Sequence, residues 1–194
     1  MGILHSKSRI KILLLGATGT GKSEFLNNLC EDGPGLYGGR THGIARGNHI
    51  HGRTQLELHE IGGNVKFEMW EKLLTKGMCD CIYFFVNLEW SRLKLLEQKN
   101  LLVFAILKHP NTPVCIIGRW RKENVKQLCY EEVVDLLQLK ELGDVQQSIW
   151  YVQMTHYGKL ALQGVELLLD WTVRTCQIQQ LKKQSASPEN VREL

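Results

Sequence analysis

The run Ile10-Lys11-Ile12-Leu13-Leu14-Leu15 is almost wholly apolar and too short for a helix, so it predicts a strand buried on both faces of a sheet. Stretches of the same kind recur at 80–87 (Asp-Cys-Ile-Tyr-Phe-Phe-Val-Asn), at 113–118 and at 149–154. Two shorter runs, Asn48–His51 and Thr54–Glu60, turn through His51-Gly52-Arg53 and predict a hairpin. Helical patterns fill the gaps, over about 22–30, 65–76, 91–108, 124–138 and 161–180. Strands and helices alternating at this spacing imply an α/β protein. Its six-stranded, mostly parallel sheet is flanked by helices on both faces.

Residues 31–47 are rich in glycine, hold Pro34 and show no period, which predicts a long loop of the functional or mobile kind. The stretch from Leu181 onward, with Lys182-Lys183-Gln184-Ser185 and Pro188, is polar and predicts a flexible tail. The expected division is a short amino-terminal segment over 1–9, one domain over 10–180, and that tail over 181–194.

Composition narrows the class further. A chain of 194 residues with 43% hydrophobic and 23% charged residues is long enough for one soluble domain with a sizeable core. The net charge of +4 is spread without a basic stripe, so nucleic acid is not expected as a partner. Six cysteines (Cys30, Cys79, Cys81, Cys115, Cys129 and Cys176) form no Cys-x-x-Cys pair and have no histidines at zinc spacing. They read as reduced core thiols, which suits a cytoplasmic protein. Neither a secretory signal nor a membrane-spanning run is visible.

The strongest chemical signal follows the first strand. Gly16-Ala17-Thr18-Gly19-Thr20-Gly21-Lys22-Ser23 matches the P-loop pattern G-x-x-x-x-G-K-[ST] completely, between a buried strand and a helix. Glycines let the backbone curl so that successive amides converge on a phosphate, and the helix start adds its dipole. Lys22 supplies a charge to the β- and γ-phosphates, and Ser23 offers a hydroxyl to Mg²⁺. The fold is therefore that of a P-loop nucleoside triphosphatase.

Past the P-loop the chain resembles the Arf and Arf-like small GTPases, over most of residues 9–176. Thr41-His42-Gly43 is similar to the family's switch I Thr-x-Gly, and Glu60-Ile61-Gly62-Gly63-Asn64 to its switch II Asp-x-Gly-Gly-Gln, at the family's step of 19 residues. Trp70, the helix around Glu132–Leu139, Trp150-Tyr151-Val152-Gln153-Met154-Thr155, Gly164 and Asp170-Trp171 continue the likeness in order. The resemblance implies GTP and GDP as ligands with Mg²⁺. It also implies that Thr41 reaches the γ-phosphate and the metal, and that the Gly63 amide senses the γ-phosphate. Effector, exchange-factor and activating proteins would be the partners, and intracellular membrane traffic the setting.

Three departures change that expectation. Glu60 stands for the family's aspartate, one methylene longer, and is expected to reach Mg²⁺ indirectly through water. Asn64 stands for the glutamine that positions the attacking water and reaches about 1.5 Å less, so hydrolysis is expected to be slow. The family's Asn-Lys-x-Asp is replaced by Gly118-Arg119-Trp120-Arg121, with glycine in the asparagine's place and no aspartate to read guanine. Glu123 is an alternative acceptor, and Trp120 or Arg119 an alternative stacking surface. The loop after the last strand is altered to Thr155-His156-Tyr157.

Met1-Gly2-Ile3-Leu4-His5-Ser6 fits the N-myristoylation pattern at Gly2. About eight residues precede the first strand, which leaves no room for the family's amphipathic helix. One acyl chain gives only reversible attachment, so a peripheral position on cytosolic membrane faces is expected. Three readings stay open: a slow GTPase switch, a pseudo-GTPase interaction module, and a P-loop binder with relaxed purine preference.

Overall fold

A computed structural model describes residues 8–32, 41, 43–63, 79–120, 130–140, 149–155 and 162–185. Strand β1 (Ser8–Leu15) lies at the centre, paired in parallel with β3 (Thr54–Ile61) on one side and β4 (Cys81–Asn87) on the other. It starts two residues before the apolar run because Ser8 and Arg9 pair with Thr54 and Gln55. A hydroxyl contact from Ser8 to Thr54 (2.8 Å) and an ion pair from Arg9 to Glu57 (2.6 Å) fasten that end. Strand β5 (Val114–Trp120) extends the sheet from β4, and β6 (Ile149–Thr155) closes that edge, both parallel. The other edge is β2 (Ile44–His51), antiparallel to β3, so the order is β2-β3-β1-β4-β5-β6.

Alternation along the central strands divides the interior into two cores. Leu13 and Leu15 of β1 and Ile82, Phe84 and Val86 of β4 face the helices α2 (Arg92–Lys108) and α3 (Tyr130–Leu136). Ile10, Ile12, Leu14, Tyr83 and Phe85 face the opposite layer, made by α1 (Lys22–Leu29) and α4 (Leu162–Ser185). The period of two is what lets near-continuous apolar strands cover both faces. Phe25 of α1 meets Tyr83 and Phe85 edge-on, with ring centroids 5.9 and 5.4 Å apart. On α4, Val165, Leu168, Leu169, Thr172 and Cys176 form one buried face at helical spacing. The buried Tyr83 hydroxyl meets Thr172 Oγ1 at 2.6 Å, and Thr172 donates in turn to the Leu168 carbonyl at 2.8 Å.

The expected six-stranded, mostly parallel α/β sheet with helices on both faces is the architecture found. Two boundaries move. The hairpin's first strand begins at Ile44 rather than Asn48, because Ile44 to Gly47 pair with Leu58 to Ile61 despite their weak pattern. The last helix runs through Ser185, past the polar boundary at Leu181, carrying Lys182 and Lys183 in its final turn where cations suit the helix dipole. The helix expected over 65–76, residues 124–129 of the helix expected over 124–138, and residues 186–194 of the tail lie outside the described residues. Cys30, Cys79, Cys81, Cys115 and Cys176 are free, buried thiols, and Cys129 lies outside the described residues. No helix among the described residues is long and apolar enough to cross a membrane.

Candidate phosphate and cation site

Parallel strands carry their carboxyl ends to one edge of the sheet, and that edge is where α/β proteins bind ligands. β1 runs there into residues 16–21, and the loop delivers the chain to α1. Gly16 sits at φ +133° so close to β4 that a Cβ would lie 2.4 Å from the Phe85 carbonyl oxygen. Only glycine fits that approach. The loop is tied to itself by Thr20, whose buried hydroxyl donates to the Ala17 carbonyl at 2.9 Å. Gly21 caps α1 with a left-handed backbone and no side-chain hydrogen bond. A helix start without a side-chain cap is the usual arrangement for binding an anion.

Lys22 is buried, and its Nζ donates to the carbonyls of Gly16 (2.7 Å) and Ala17 (2.9 Å). The ammonium is thus held across the mouth of the loop. Burial lowers its pKa to about 8, with the charge of Glu60 acting in the opposite sense.

Beside it, topology brings three oxygens together from distant parts of the chain. β3 is parallel to β1 and ends at the same edge, and β2 is antiparallel and begins there. Glu60 lies on the face of β3 shared with buried Leu56 and Leu58, beneath α1. Its Oε1 accepts hydrogen bonds from Ser23 Oγ at 2.7 Å and Thr41 Oγ1 at 3.2 Å, and the two hydroxyl oxygens are 3.0 Å apart. Glu60 is 2% exposed, and its Oε2 has no hydrogen-bond partner among the described residues. A buried carboxylate oxygen left without a donor is costly, and a cation meets that cost. The donors are hydroxyl and carboxylate oxygens, the set for a hard ion such as Mg²⁺. No cluster of His, Cys, Asp and Glu that would suit a softer metal occurs among the described residues.

Gly63 approaches the same loop from the end of β3. A Cβ there would lie 2.2 Å from Thr18 N and 2.4 Å from the Ala17 carbonyl carbon. The Gly62 amide donates to the Gly43 carbonyl at 2.9 Å, so the segments flanking the hairpin are joined at the site. Residues 16–23, Thr41, Glu60 and Gly63 are thereby brought to one place.

Asn64, Gly2, Trp70, Glu123, His156 and Tyr157 lie outside the described residues.

Arg119 departs from its expected role. It is not a stacking surface: its side chain is 9% exposed, and one guanidinium nitrogen reaches Glu24 Oε2 of α1 at 2.6 Å. Another donates to the Gly19 carbonyl at 3.2 Å, and its Cδ lies where a Cβ on Gly21 would come within 3.0 Å. Gly118, placed by sequence at the family's asparagine, is an interior residue of β5 opposite Val86, so Arg119 is the residue that carries the strand's end to the P-loop. Sequence reading missed the Arg119–Glu24 pair, since nothing local links residues 95 apart.

No protein-family model and no curated protein matches this chain. Solved structures do. The Arl6/BBS3 small GTPase of Trypanosoma brucei, determined with the nucleotide analogue GppNp, superposes with a TM-score of 0.60 at 20% identity, covering 87% of this chain and 99% of the other. The G domain of the T. maritima FeoB iron transporter superposes with a TM-score of 0.61 at 17% identity, covering 86% and 98%. The fold is that of the G-domain P-loop GTPases, Arf-like small GTPases included.

Proposed function

We propose that this protein is a nucleotide-dependent switch that binds GTP and GDP with Mg²⁺ at the P-loop and recruits partner proteins when triphosphate is bound. The observation that carries this reading is the convergence of Ser23, Thr41 and Glu60 beside the buried Lys22. Each comes from a segment that a triphosphate and its cation would join. The uncapped start of α1 and the loop amides bind phosphate oxygens, and Lys22 adds its charge. Ser23, Thr41 and Glu60 hold the cation, which when bound neutralises charge on the phosphate oxygens. Gly63, in contact with the loop, registers whether the terminal phosphate is present. Loss of that phosphate frees Thr41 and Gly63 together, and the β2–β3 hairpin between them carries the change to an effector.

Hydrolysis is assigned to Asn64 acting on water and is proposed to be slow. The Gly2 acyl chain would place the switch reversibly on cytosolic membranes, in membrane traffic, and a Gly2→Ala variant that fractionates like the parent would overturn that part.

The test of the central reading is direct. Fluorescent GDP, GTP and ATP analogues are titrated onto the purified protein with Mg²⁺, with Lys22→Ala as control. Micromolar or tighter binding of guanine nucleotides, lost in the control, is expected. Absence of binding would favour an interaction module without turnover. Equal binding of GTP and ATP would favour the relaxed-purine reading.

A further inference from the structure

We infer that the outer edge of β2 is a pairing edge for a second copy of this chain, and that the Asp32 carboxylate keeps it shut. Nucleotide binding plays no part in it.

Among the described residues β2 is an edge strand, and every residue from Ile44 to His51 pairs with β3 without a bulge. No proline interrupts it. The Gly62 amide donates to the Gly43 carbonyl, so odd-numbered residues of this strand turn their backbone groups toward β3 and even-numbered residues turn theirs outward. Ile44, Arg46, Asn48 and Ile50 thus present N–H and C=O groups to an incoming strand. An unbroken edge of this kind is one that natural sheets have to guard.

The guard stands at the middle of the edge. Asn48 N–H donates to Asp32 Oδ1 at 2.8 Å, and Asn48 Nδ2 donates to Asp32 Oδ2 at 2.9 Å. Asp32 comes from the turn after α1 and is exposed, so the core does not hold it there. The bond from the Asn48 backbone, then the one from its side chain, keep the carboxyl below the usual carboxylate range. At neutral pH it is therefore a charged acceptor, the strong kind. A strand adding to β2 must take the Asn48 amide away from it.

A second copy fits because the edge is complementary to itself. Antiparallel pairing about a twofold axis at Gly47 sets Ile44 against the partner's Ile50, and Arg46 against the partner's Asn48. These are the outward-turned residues, so each pair exchanges backbone hydrogen bonds. Ile44 and Ile50 are 38% and 60% exposed, and this pairing gives each an apolar neighbour across the strands. The next permitted slip in one direction sets Arg46 against its own copy, which repels. The slip in the other direction sets Ile44 against the partner's Gly52 and loses the apolar pair. One register is favoured.

Sedimentation equilibrium over a concentration series compares the parent with Asp32→Ala, Asp32→Ser, and Asp32→Ala combined with Ile50→Lys. The parent is expected to stay a monomer. Both carboxylate-free variants are expected to approach double its mass as concentration rises, and carrying two of them covers a folding defect in either. Ile50→Lys is expected to return the Asp32→Ala protein to monomer. Amide hydrogen exchange by NMR locates the contact: in Asp32→Ala, the Ile44, Arg46 and Ile50 amides are expected to exchange roughly tenfold more slowly at high concentration than at low. Folded Asp32 variants that remain monomeric overturn the proposal. So does a parent that dimerises as readily as they do, or a dimer that Ile50→Lys leaves intact.

Discussion

Arg119 at the end of β5 and Glu24 in the first turn of α1 meet at 2.6 Å, and the same guanidinium reaches the Gly19 carbonyl of the P-loop. One side chain therefore ties the sixth residue of a central strand to both ends of the loop's last turn. Arginine suits the task because its planar fork keeps two donors in fixed relation, which lysine does not. The pair is partly sheltered, with Arg119 nearly buried and Glu24 more open, so it sits between the exposed and buried extremes of ion-pair energetics.

Removing one partner takes a charge-assisted hydrogen bond from the other. Arg119→Ala is expected to lower stability by about 2 kcal/mol, and Glu24→Gln by less, because Glu24 retains more contact with water. The double variant Arg119→Met, Glu24→Gln is expected to lose less than the sum of the single changes. Urea unfolding of the four proteins measures this, and strict additivity would show that the two side chains do not couple.

How much of this was legible beforehand follows from where the information lies. The strands, the two-sided sheet and the P-loop rest on local patterns: an apolar run, a glycine spacing, an alternation. The loop from residue 16 to 23 was read in full because its chemistry is contiguous. Thr41 and Glu60 are expected together from the family resemblance, and their contact through one carboxylate oxygen follows from β2 being antiparallel to β3. Residues 44–47 close a glycine-rich stretch without period, which predicts a loop. In the folded chain Gly47 is required where β2 crosses α1: a Cβ there would lie 2.8 Å from Cys30 Sγ. The place of Arg119 against the P-loop is not legible in the sequence, because its partner Glu24 is remote along the chain.

The thiols report on packing. Burial raises the Cys30 and Cys79 pKa values to about 12, and it drives Cys81 and Cys115 upward as well. Thiolate is the reactive form, so these four are expected to resist iodoacetamide at pH 8 in the native protein. All four should label within minutes in guanidinium chloride. Peptide mapping after each treatment gives the answer by site, and rapid native labelling of Cys81 or Cys115 would contradict the packing of β4 and β5.

The hairpin beside the site is expected to weaken in mild acid. Burial lowers the pKa values of His49 on β2 and His59 on β3. Arg46 and Lys11 push His59 further down and His51 does the same to His49, while Leu29, Glu166 and Glu31 oppose the shift at His49 and Glu57 at His59. With the folded pKa below 6.5, the unfolded chain binds more protons through the window between the two values, so stability rises with pH there. It is present in full above about 6.5 and is lost as pH falls through the folded values. The melting temperature is expected to fall between pH 7.5 and 5, and less so in a His49→Gln, His59→Gln variant. Equal slopes for the two proteins would assign the acid sensitivity elsewhere.

Two glycines distinguish a binding contact from a folding one. Gly52 turns the β2–β3 hairpin at φ +58°, and a Cβ there would meet nothing within 4 Å. Gly52→Ala is expected to cost about 1 kcal/mol through backbone strain alone, with nucleotide affinity unchanged. Gly63 is the reverse case. Its added Cβ would fall on backbone atoms of Ala17 and Thr18, which cannot swing aside as a flexible side chain does, so the end of β3 and the P-loop must part. A displacement near 1 Å of groups that must converge on a phosphate is costly, of order a hundredfold in the catalytic analogue. Gly63→Ala is therefore expected to weaken triphosphate binding at least tenfold and diphosphate binding much less, and to lower the melting temperature as well, because the atoms displaced are backbone. Calorimetric titration of both nucleotides onto both variants separates the two effects. Equal losses for triphosphate and diphosphate in Gly63→Ala would mean that residue 63 shapes the loop without registering the terminal phosphate.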